Sequence, residues 1–112
     1  MAEQHKILSS ILEDNNFTAF EKRVFRAASL IPFGQVRSYK WVARRAGRPF
    51  AHRAAANALS KNPYPIIIPC HRVIKSDGSI GGYSRGTDLK IRLLKREGID
   101  CTSGRCYNHR KK

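Results

Sequence analysis

Three closely spaced prolines constrain the middle of this chain more than any other feature. Pro63, Pro65 and Pro69 lie in the segment NPYPIIIP, and each proline disfavours helical backbone at the residue before it. The segment is therefore predicted to be extended. At 112 residues, the chain is long enough for one domain but too short for two well-formed ones. We therefore expect helices on either side of an extended segment to share a single core.

Apolar residues repeat at helical spacing outside that segment. Thr18 and Glu21 have the spacing of a capping box, and Pro32 and Gly34 would end the helix that begins there. Ser38 can cap the next helix. The predicted helices span residues 1–14, 18–31, 39–46, 49–60 and 87–97, with Thr87 or Asp88 as the cap of the last one. The chain is therefore predicted to be mostly α.

Two of these helices, 39–46 and 49–60, are joined by a tight turn that contains Gly47. This arrangement is typical of a helix-turn-helix. The second helix is rich in alanine, which helix propensity alone would explain. A smooth helix from which Arg53 projects is equally suited to lying close against another surface. The residues leave both interpretations open.

A short β-hairpin is predicted after the proline segment. Val73 and Ile74 lead into a turn at Asp77 and Gly78, and Ile80 begins the return strand. The segment GGYSRG is predicted to be a loop and not a phosphate site, because no Gly-Lys-Ser/Thr follows it. The fold class is therefore mostly α with a short β-hairpin, followed by a basic, flexible tail at residues 100–112.

Positive charge dominates the composition, with 22 Lys and Arg against 8 Asp and Glu and a net charge of +14. No acidic residue occurs between Glu21 and Asp77. Such a distribution favours a nucleic-acid partner, with a basic surface that serves only solubility as the alternative. No apolar run could span a bilayer, and residues 1–12 are too polar for a signal peptide. We therefore expect an intracellular protein without a membrane partner.

The chain has an odd number of cysteines, Cys70, Cys101 and Cys106. At least one thiol must therefore be free, which fits a reducing compartment. Cys101, Cys106 and His109 lack both a fourth ligand and the spacing of a known zinc site. No metal or other cofactor is predicted.

Cys70 and His71 are adjacent in the sequence. A thiol attacks as the thiolate, so a reactive cysteine needs a base or positive surroundings. Neighbours on an extended strand point to opposite faces, so coupling of these two side chains requires a turn or a bridging water. Glu97 ends its helix where the dipole disfavours a carboxylate, and it could orient a histidine. On composition alone, a buried structural cysteine remains the simpler interpretation.

The segment NPYPIIIPCHRVI, followed by GGYSRG and LLKREG, closely resembles the active-site region of the O6-alkylguanine-DNA alkyltransferases, the methylated-DNA-protein-cysteine methyltransferases. The resemblance extends from about Phe17 to Ile99. It implies a winged helix-turn-helix-like DNA-binding and catalytic domain at residues 17–99, preceded by a helical extension at residues 1–16. Members of the family usually carry a separate N-terminal domain, for which residues 1–16 are too short.

The resemblance implies DNA repair by direct, irreversible transfer of an alkyl group from O6 of guanine to Cys70, in a single turnover without a cofactor. The damaged nucleotide would be flipped out of the duplex, and the partner would be double-stranded DNA containing O6-alkylguanine. We expect the protein to act as a monomer. It would act in the cytoplasm of a prokaryote or the nucleus of a eukaryote.

The resemblance also assigns roles around the cysteine. Cys70 would be the nucleophile, His71 the base acting through a water, and Glu97 the group that orients His71. Asn62 would brace the active-site loop by hydrogen bonding. Four residues would contact the nucleotide: Tyr39 would help to rotate it, the Val73 carbonyl would accept from the guanine amine, Tyr83 would wall the pocket, and the Ser84 N–H would donate toward O6.

The DNA contacts implied by the resemblance lie on the alanine-rich helix. Arg53 would fill the place of the flipped nucleotide, and Ala51, Ala54 and Ala56 would let the helix lie close in the minor groove. Ala56 departs from the family, because we would expect a glycine there and at Asn57. This departure could loosen the fit to DNA.

Two other functions are alternatives to alkyl transfer. A non-catalytic lesion binder like the alkyltransferase-like proteins would have tryptophan at the cysteine position, and Cys70 argues against it. A sequence-specific helix-turn-helix regulator would need side chains that read base edges, and AHRAAANAL offers few of them.

Overall fold

The computed structural model describes residues 2–62, 68–83, 86–101 and 105–108. Its helices are α1 (Ala2–Leu12), α2 (Ala19–Ser29), α3 (Tyr39–Arg45), α4 (His52–Ser60) and α5 (Thr87–Arg96), and its strands are β1 (Arg37–Ser38), β2 (Val73–Ile74), β3 (Ile99–Asp100) and β4 (Tyr107–Asn108). The predicted class, mostly α with a short β-hairpin, is confirmed. None of the helices in these ranges is long and apolar enough to cross a membrane.

Helix α2 lies at the centre of the core, and its start follows from local sequence. The Thr18 hydroxyl accepts from the Glu21 N–H at 3.1 Å, and the Glu21 carboxylate accepts from the Thr18 N–H at 2.9 Å. The predicted capping box is therefore confirmed. Val24 and Phe25 are fully buried, and each contributes roughly 1.5–3 kcal/mol by leaving water. Helix α1 covers this core with Ile11.

Helices α3 and α4 have the predicted arrangement, two short helices joined by a tight turn. Ser38 caps α3 by accepting from the Trp41 N–H at 3.0 Å. Gly47 follows the helix with a φ of 90°, a backbone conformation that glycine adopts without strain. Both helices bury small side chains against α2; the buried residues are Val42, Ala43, Ala55, Ala58 and Leu59.

The start of α4 differs from the prediction. We expected Pro49 in its first turn, but the helix begins at His52. The Arg48 N–H donates to the Ala43 carbonyl at 2.9 Å, and the Ala51 N–H donates to the Arg48 carbonyl at 3.0 Å. These bonds close a separate turn, so the helical hydrogen bonds begin only after it.

Strand β2 pairs in parallel with β1, so that Arg37 lies opposite Val73 and Ser38 opposite Ile74. Parallel neighbours need a long connection, and here the connection includes both α3 and α4. The strand that carries the residues after Cys70 is thereby fixed to the start of α3. Residues 63–67 of the predicted extended segment lie outside the described ranges.

The predicted turn after β2 is present, but its return strand is not. The Lys75 N–H donates to the Ser79 carbonyl at 2.9 Å. Asp77 Oδ1 accepts from the N–H and the hydroxyl of Ser79 at 2.9 and 2.7 Å. This local turn does not continue a ladder, and no strand begins at Ile80 in the described chain. The predicted position of the hairpin was therefore wrong: Ser79 pairs instead with Arg105 in an isolated antiparallel bridge, and the Cys106 N–H donates to the Gly78 carbonyl at 2.9 Å.

The antiparallel hairpin lies instead near the C-terminus, where β3 pairs with β4. A disulfide joins Cys101 to Cys106. Cys101 packs with Leu94 and Ile99 in a second, smaller core. Part of the segment at residues 100–112 that we expected to be flexible is therefore paired and covalently closed. Cys70 has a free thiol, as the odd cysteine count required.

Helix α5 begins at Thr87, as predicted, but its N-cap residue is a glycine. Gly86 is the N-cap residue, with a φ of 97° and no side-chain capping bond. The cap predicted at Thr87 or Asp88 was therefore wrong. Inside the helix, Lys90 and Leu94 are buried, and Glu97 is the C-cap residue. This inward face of α5 forms one wall of the candidate site.

Candidate active site

Cys70 begins a 3-10 turn that spans Cys70–Arg72. The Cys70 N–H donates to the Ile68 carbonyl at 2.7 Å. The Asn62 side-chain amide donates to the same carbonyl at 2.8 Å and to Cys70 Sγ at 3.4 Å. Asn62 therefore holds the backbone before the cysteine and contacts the sulfur, as a brace of this loop would.

The thiol itself is buried, with 5% of the residue exposed. Burial raises the pKa of Cys70, and contacts with Asn62, Lys90 and the Tyr83 hydroxyl oppose that rise without cancelling it. The resting cysteine is therefore a protonated thiol at neutral pH. Nucleophilic attack requires a group that takes the proton.

His71 lies behind Cys70 and contacts Glu97. Its Nε2 is 2.8 Å from Glu97 Oε2, and the turn, not an extended strand, directs the ring there. An ionised carboxylate only accepts hydrogen bonds, so His71 carries its proton on Nε2 and keeps the lone pair on Nδ1. Nδ1 is buried without a hydrogen-bond partner in the described part of the chain. Burial lowers the pKa of His71, an effect that Glu97 only partly offsets, so the imidazole is neutral and Nδ1 carries its lone pair.

Glu97 receives more than one donor, which explains a carboxylate at the negative end of α5. Besides His71, it accepts from the Gly34 N–H at 2.9 Å and from Arg72 Nε at 2.9 and 3.1 Å. Burial alone would raise the pKa of Glu97, but the bonds from Arg72, Gly34 and His71 outweigh it and leave the pKa lowered. The carboxylate therefore stays ionised beside the histidine.

Lys90 is a further site residue that our sequence analysis missed. It is fully buried, and its Nζ donates to the carbonyls of Val73, Ile80 and Gly82 at 2.7, 2.7 and 3.1 Å. Burial lowers its pKa to about 8, while the negative charge of a Cys70 thiolate would raise it. The sequence did contain one signal for this burial: Lys90 lies three and four residues before Leu93 and Leu94, on the apolar face of the predicted helix.

The Lys90 contacts also bear on Val73, whose carbonyl we expected to accept from the guanine amine. That carbonyl lies in the site, but it already accepts from Lys90 at 2.7 Å. A carbonyl oxygen has two lone pairs, so the bond from Lys90 does not by itself exclude a second donor.

A cavity of about 640 Å³ opens beside Cys70. Residues that line it include Tyr39, Arg53, Ala56, Cys70, Gly82 and Tyr83. The Tyr39 hydroxyl is 3.4 Å from the Gly82 carbonyl. A Cβ on Gly81 would lie 3.0 Å from the same hydroxyl, at a φ of 72°. Glycine at this position therefore lets the loop approach Tyr39 and shape the cavity.

Several of the predicted site residues line this one cavity. It joins the thiol to the face of α4 that carries Arg53 and Ala56, whereas Ala54 lines a separate cleft beside Phe20. Ala51 is half-buried as the N-cap residue of α4. Asn62, His71 and Glu97 lie behind the cavity wall, and Ser84 falls outside the described residues.

Comparisons with known proteins identify the family of the chain. The model of the family described as "6-O-methylguanine DNA methyltransferase, DNA binding domain" matches residues 19–99. The methylated-DNA--protein-cysteine methyltransferase of Methanothermobacter thermautotrophicus is 50% identical over 90 residues, covering 80% of this chain and 50% of that protein. The corresponding protein of Methanosarcina barkeri is 51% identical over 80 residues, covering 71% of this chain and 51% of its own. The chain thus spans about half the length of these relatives.

Solved structures give the same result. A crystal structure of Mycobacterium tuberculosis OGT in complex with DNA superposes with a TM-score of 0.71 at 44% identity, covering 72% of this chain and 49% of that one. Schizosaccharomyces pombe Atl1, in complex with damaged DNA containing O6-carboxymethylguanine, superposes with a TM-score of 0.66 at 34% identity, covering 80% of this chain and 86% of that one. The chain therefore belongs to the family of 6-O-methylguanine DNA methyltransferase DNA-binding domains.

Proposed function

We propose that this protein repairs DNA by transferring an alkyl group from O6 of guanine to Cys70, once per molecule. The observation that carries the proposal is a free cysteine at a cavity that opens onto α4, with a histidine and carboxylate pair directly behind it. Of the relatives, those named methylated-DNA--protein-cysteine methyltransferases have this activity in their name.

The proposed reaction begins with loss of the thiol proton. His71 Nδ1 takes that proton, through a bridging water, and Glu97 stabilises the imidazolium that forms. The buried ammonium of Lys90 lowers the pKa of Cys70 and so supports the thiolate. His71, Glu97 and Lys90 would therefore together reduce the cost that burial imposes on loss of the thiol proton.

Transfer itself exchanges one bond for another. A bond forms between Cys70 Sγ and the alkyl carbon, the bond from that carbon to O6 breaks, and its electron pair stays on the guanine. Hydrogen-bond donors at the guanine make it a better leaving group, and we assign this role to the Tyr39 hydroxyl and the Ser84 N–H. Tyr83 walls the pocket, and the second lone pair of the Val73 carbonyl accepts from the guanine amine.

The thioether that forms explains why each molecule would react once. Its carbon to sulfur bond offers water no acyl or phosphoryl centre to attack. In the described structure, Tyr83 and Asn62 are the side chains whose hydrogen bonds reach the thiol, and neither is a nucleophile of sufficient strength. No cofactor or metal enters these steps.

Access to the guanine requires that the nucleotide leave the duplex, which costs a few kcal/mol. We propose that α4 lies in the minor groove, where the small side chains of Ala51, Ala54 and Ala56 allow close approach. Arg53 is exposed at the rim of the cavity and would fill the vacated stack. The positive charge of the chain would add phosphate contacts that depend on salt. The partner is thus double-stranded DNA containing O6-alkylguanine, bound by a monomer inside the cell, in the cytoplasm of a prokaryote or the nucleus of a eukaryote.

A second candidate is a lesion binder without transfer, which the likeness to Atl1 favours. Both candidates predict binding to alkylated DNA, but only the first predicts a covalent product. The free Cys70 thiol in the cavity supports the first.

Intact-protein mass spectrometry tests the choice directly. After incubation with excess duplex containing O6-methylguanine, in the presence of a chelator, we expect one added methylene unit per molecule, mapped to the peptide containing Cys70. The Cys70→Ser variant should bind the same duplex without gaining mass, because the hydroxyl is far less acidic than the thiol. Binding with no added mass in the wild type would favour the lesion binder, and many repaired guanines per protein would contradict the single-turnover mechanism. Affinity that depends on sequence and hardly on salt would instead indicate a helix-turn-helix regulator.

A further inference from the structure

The side chain of Phe50 is almost completely exposed. It is 95% exposed, against 61% for Phe33 and 56% for Leu30, the next most exposed large apolar residues of the described chain. Single exposed apolar residues of intermediate exposure are normal on protein surfaces. An aromatic ring held entirely in water is less usual, because it loses the free energy that burial would give.

The backbone that carries Phe50 is held in a defined position. Phe50 lies in the turn between α3 and α4, and this turn is closed by the bond from the Ala51 N–H to the Arg48 carbonyl at 3.0 Å. Pro49 precedes it and has a fixed φ. Ala51 in turn accepts from the Ala55 N–H at 2.9 Å, which ties the turn to α4. The ring therefore projects from an ordered backbone, so that binding would have to order only the side chain.

The surroundings of Phe50 are positively charged. Arg45, Arg48 and Arg53 are all exposed, whereas the clefts on the two sides of α4 include one acidic residue each, Asp77 and Glu21, and Glu21 is paired with Lys61. This charge complements a polyanion and opposes a second copy of the same basic surface. His52 and Arg53, two and three residues after Phe50, line the cavity at Cys70. Phe50 thus precedes by two and three residues the side chains at which the DNA would lie.

We propose that Phe50 is an apolar wedge that enters the minor groove of the bound duplex beside Arg53. The inference rests on the proposed function, because it takes the alkylated duplex as the occupant. Side chains such as phenylalanine are suited to this role, since they pack against sugars and base edges and open a base step without reading the sequence. Phe50 would contact the base step next to the nucleotide that leaves the stack. The small alanine side chains of α4 would let the helix come close enough for the ring to reach that step.

Fluorescence anisotropy of a labelled duplex tests this assignment, with Phe50→Ala compared with Leu30→Ala. Leu30 is a matched control because it is exposed and apolar but lies at the end of α2, away from the cavity lining. We expect Phe50→Ala to weaken duplex binding by about 10-fold or more, from the apolar surface that stays in water. The slope of log affinity against log salt should not change, because no charge is removed. Leu30→Ala should bind as the wild type does, and Phe50→Leu should recover part of the affinity.

A second measurement reports the wedge itself. A fluorescent adenine analogue beside the lesion should change its emission when wild-type protein unstacks the step. This change should be smaller in Phe50→Ala, where only the leaving nucleotide disturbs the stack, and should be kept in full in Leu30→Ala. Reaction of Cys70 with free O6-benzylguanine should be equal in all variants, which shows that the site is folded in each.

The outcomes separate this inference from the proposed function. Equal duplex affinity and equal emission for Phe50→Ala and wild type, with alkyl transfer intact, would overturn the wedge and leave the repair function standing. Loss of self-association in Phe50→Ala, with DNA binding unchanged, would assign the ring to a second copy of the chain and also overturn it. Failure of the wild type to take up any alkyl group would refute the proposed function itself.

Discussion

Replacing Lys90 by methionine should change how the stability of the protein depends on pH. Lys90 is fully buried with its ammonium among the carbonyls of Val73, Ile80 and Gly82. Burial lowers its pKa from 10.5 to about 8. The folded protein therefore releases this proton at a lower pH than the unfolded chain does.

The sign and the size of the effect follow from that difference. Between pH 8 and pH 10.5, the unfolded chain binds more protons at this position, so the free energy of unfolding rises with pH. At about 1.4 kcal/mol per pKa unit, the contribution of Lys90 grows by about 3 kcal/mol across this window. The same contribution is lost as the pH falls from 10.5 to 8, and below pH 8 it no longer changes. Methionine has a similar length and does not titrate, so its contribution to the free energy of unfolding does not depend on pH.

Urea denaturation of the Cys70→Ala protein, with and without Lys90→Met, measures this contribution. The Cys70→Ala background removes a thiol whose pKa is itself raised by burial and which would contribute with the opposite sign as the pH rises. Tyr39, whose pKa is also raised by burial, is present in both proteins and cancels in the difference. We expect this difference between the two unfolding free energies to grow by about 3 kcal/mol from pH 8 to pH 10.5.

A difference that is constant over this window would refute the reasoning. It would mean that the three carbonyl acceptors stabilise the ammonium as well as water does, so that burial carries no net penalty. A difference that shrinks as the pH rises would show a pKa raised above 10.5, and Lys90 would then be a permanent cation beside Cys70.

Three further predictions test the site and its surroundings. Glu97→Gln should slow single-turnover alkyl transfer roughly 100-fold, because a neutral amide cannot stabilise the His71 imidazolium; a wild-type rate would remove Glu97 from the mechanism. Arg53→Ala should weaken repair in duplex DNA far more than reaction with free O6-benzylguanine, since only the duplex has a vacated stack to fill; equal losses on both substrates would exclude that role. Reducing the Cys101–Cys106 disulfide should lower the free energy of unfolding by about 2 kcal/mol while alkyl uptake is unchanged. The stability of the variant with both Cys101→Ser and Cys106→Ser should not depend on reductant. An unfolding midpoint that reductant leaves unchanged in the wild type would contradict this prediction.

Much of the helical structure was predictable because its determinants are local. The capping box joins Thr18 to Glu21, three residues apart, and the cap of α3 joins Ser38 to Trp41 over the same separation. Such bonds form wherever the residues occur in the right order, and little chain entropy opposes them. Two details were wrong: α4 begins at His52 and not at Pro49, because a separate backbone turn precedes it, and the N-cap of α5 is Gly86 and not Thr87 or Asp88.

The candidate site was only partly predictable. The sequence motif suggested Cys70, His71 and Glu97, but the contact between His71 and Glu97 joins residues 26 apart in the chain. The burial of Lys90 was not predicted, because it depends on the carbonyls of Val73, Ile80 and Gly82, which belong to two other segments of the chain. Residue types at fixed spacing were sufficient to suggest the chemistry. Their distances, protonation and burial were not predictable from spacing.

The sequence by itself therefore determined the helical content, the free thiol and the positive charge, since each depends on residue identity or on neighbours within one turn. Only the tertiary structure decided that β2 pairs in parallel with β1 and that the antiparallel hairpin lies near the C-terminus. It also decided that a lysine lies buried beside the cysteine. The physical reason is that distant partners compete for the same backbone and polar groups, and the outcome depends on which arrangement buries the core while leaving fewest of those groups unpaired.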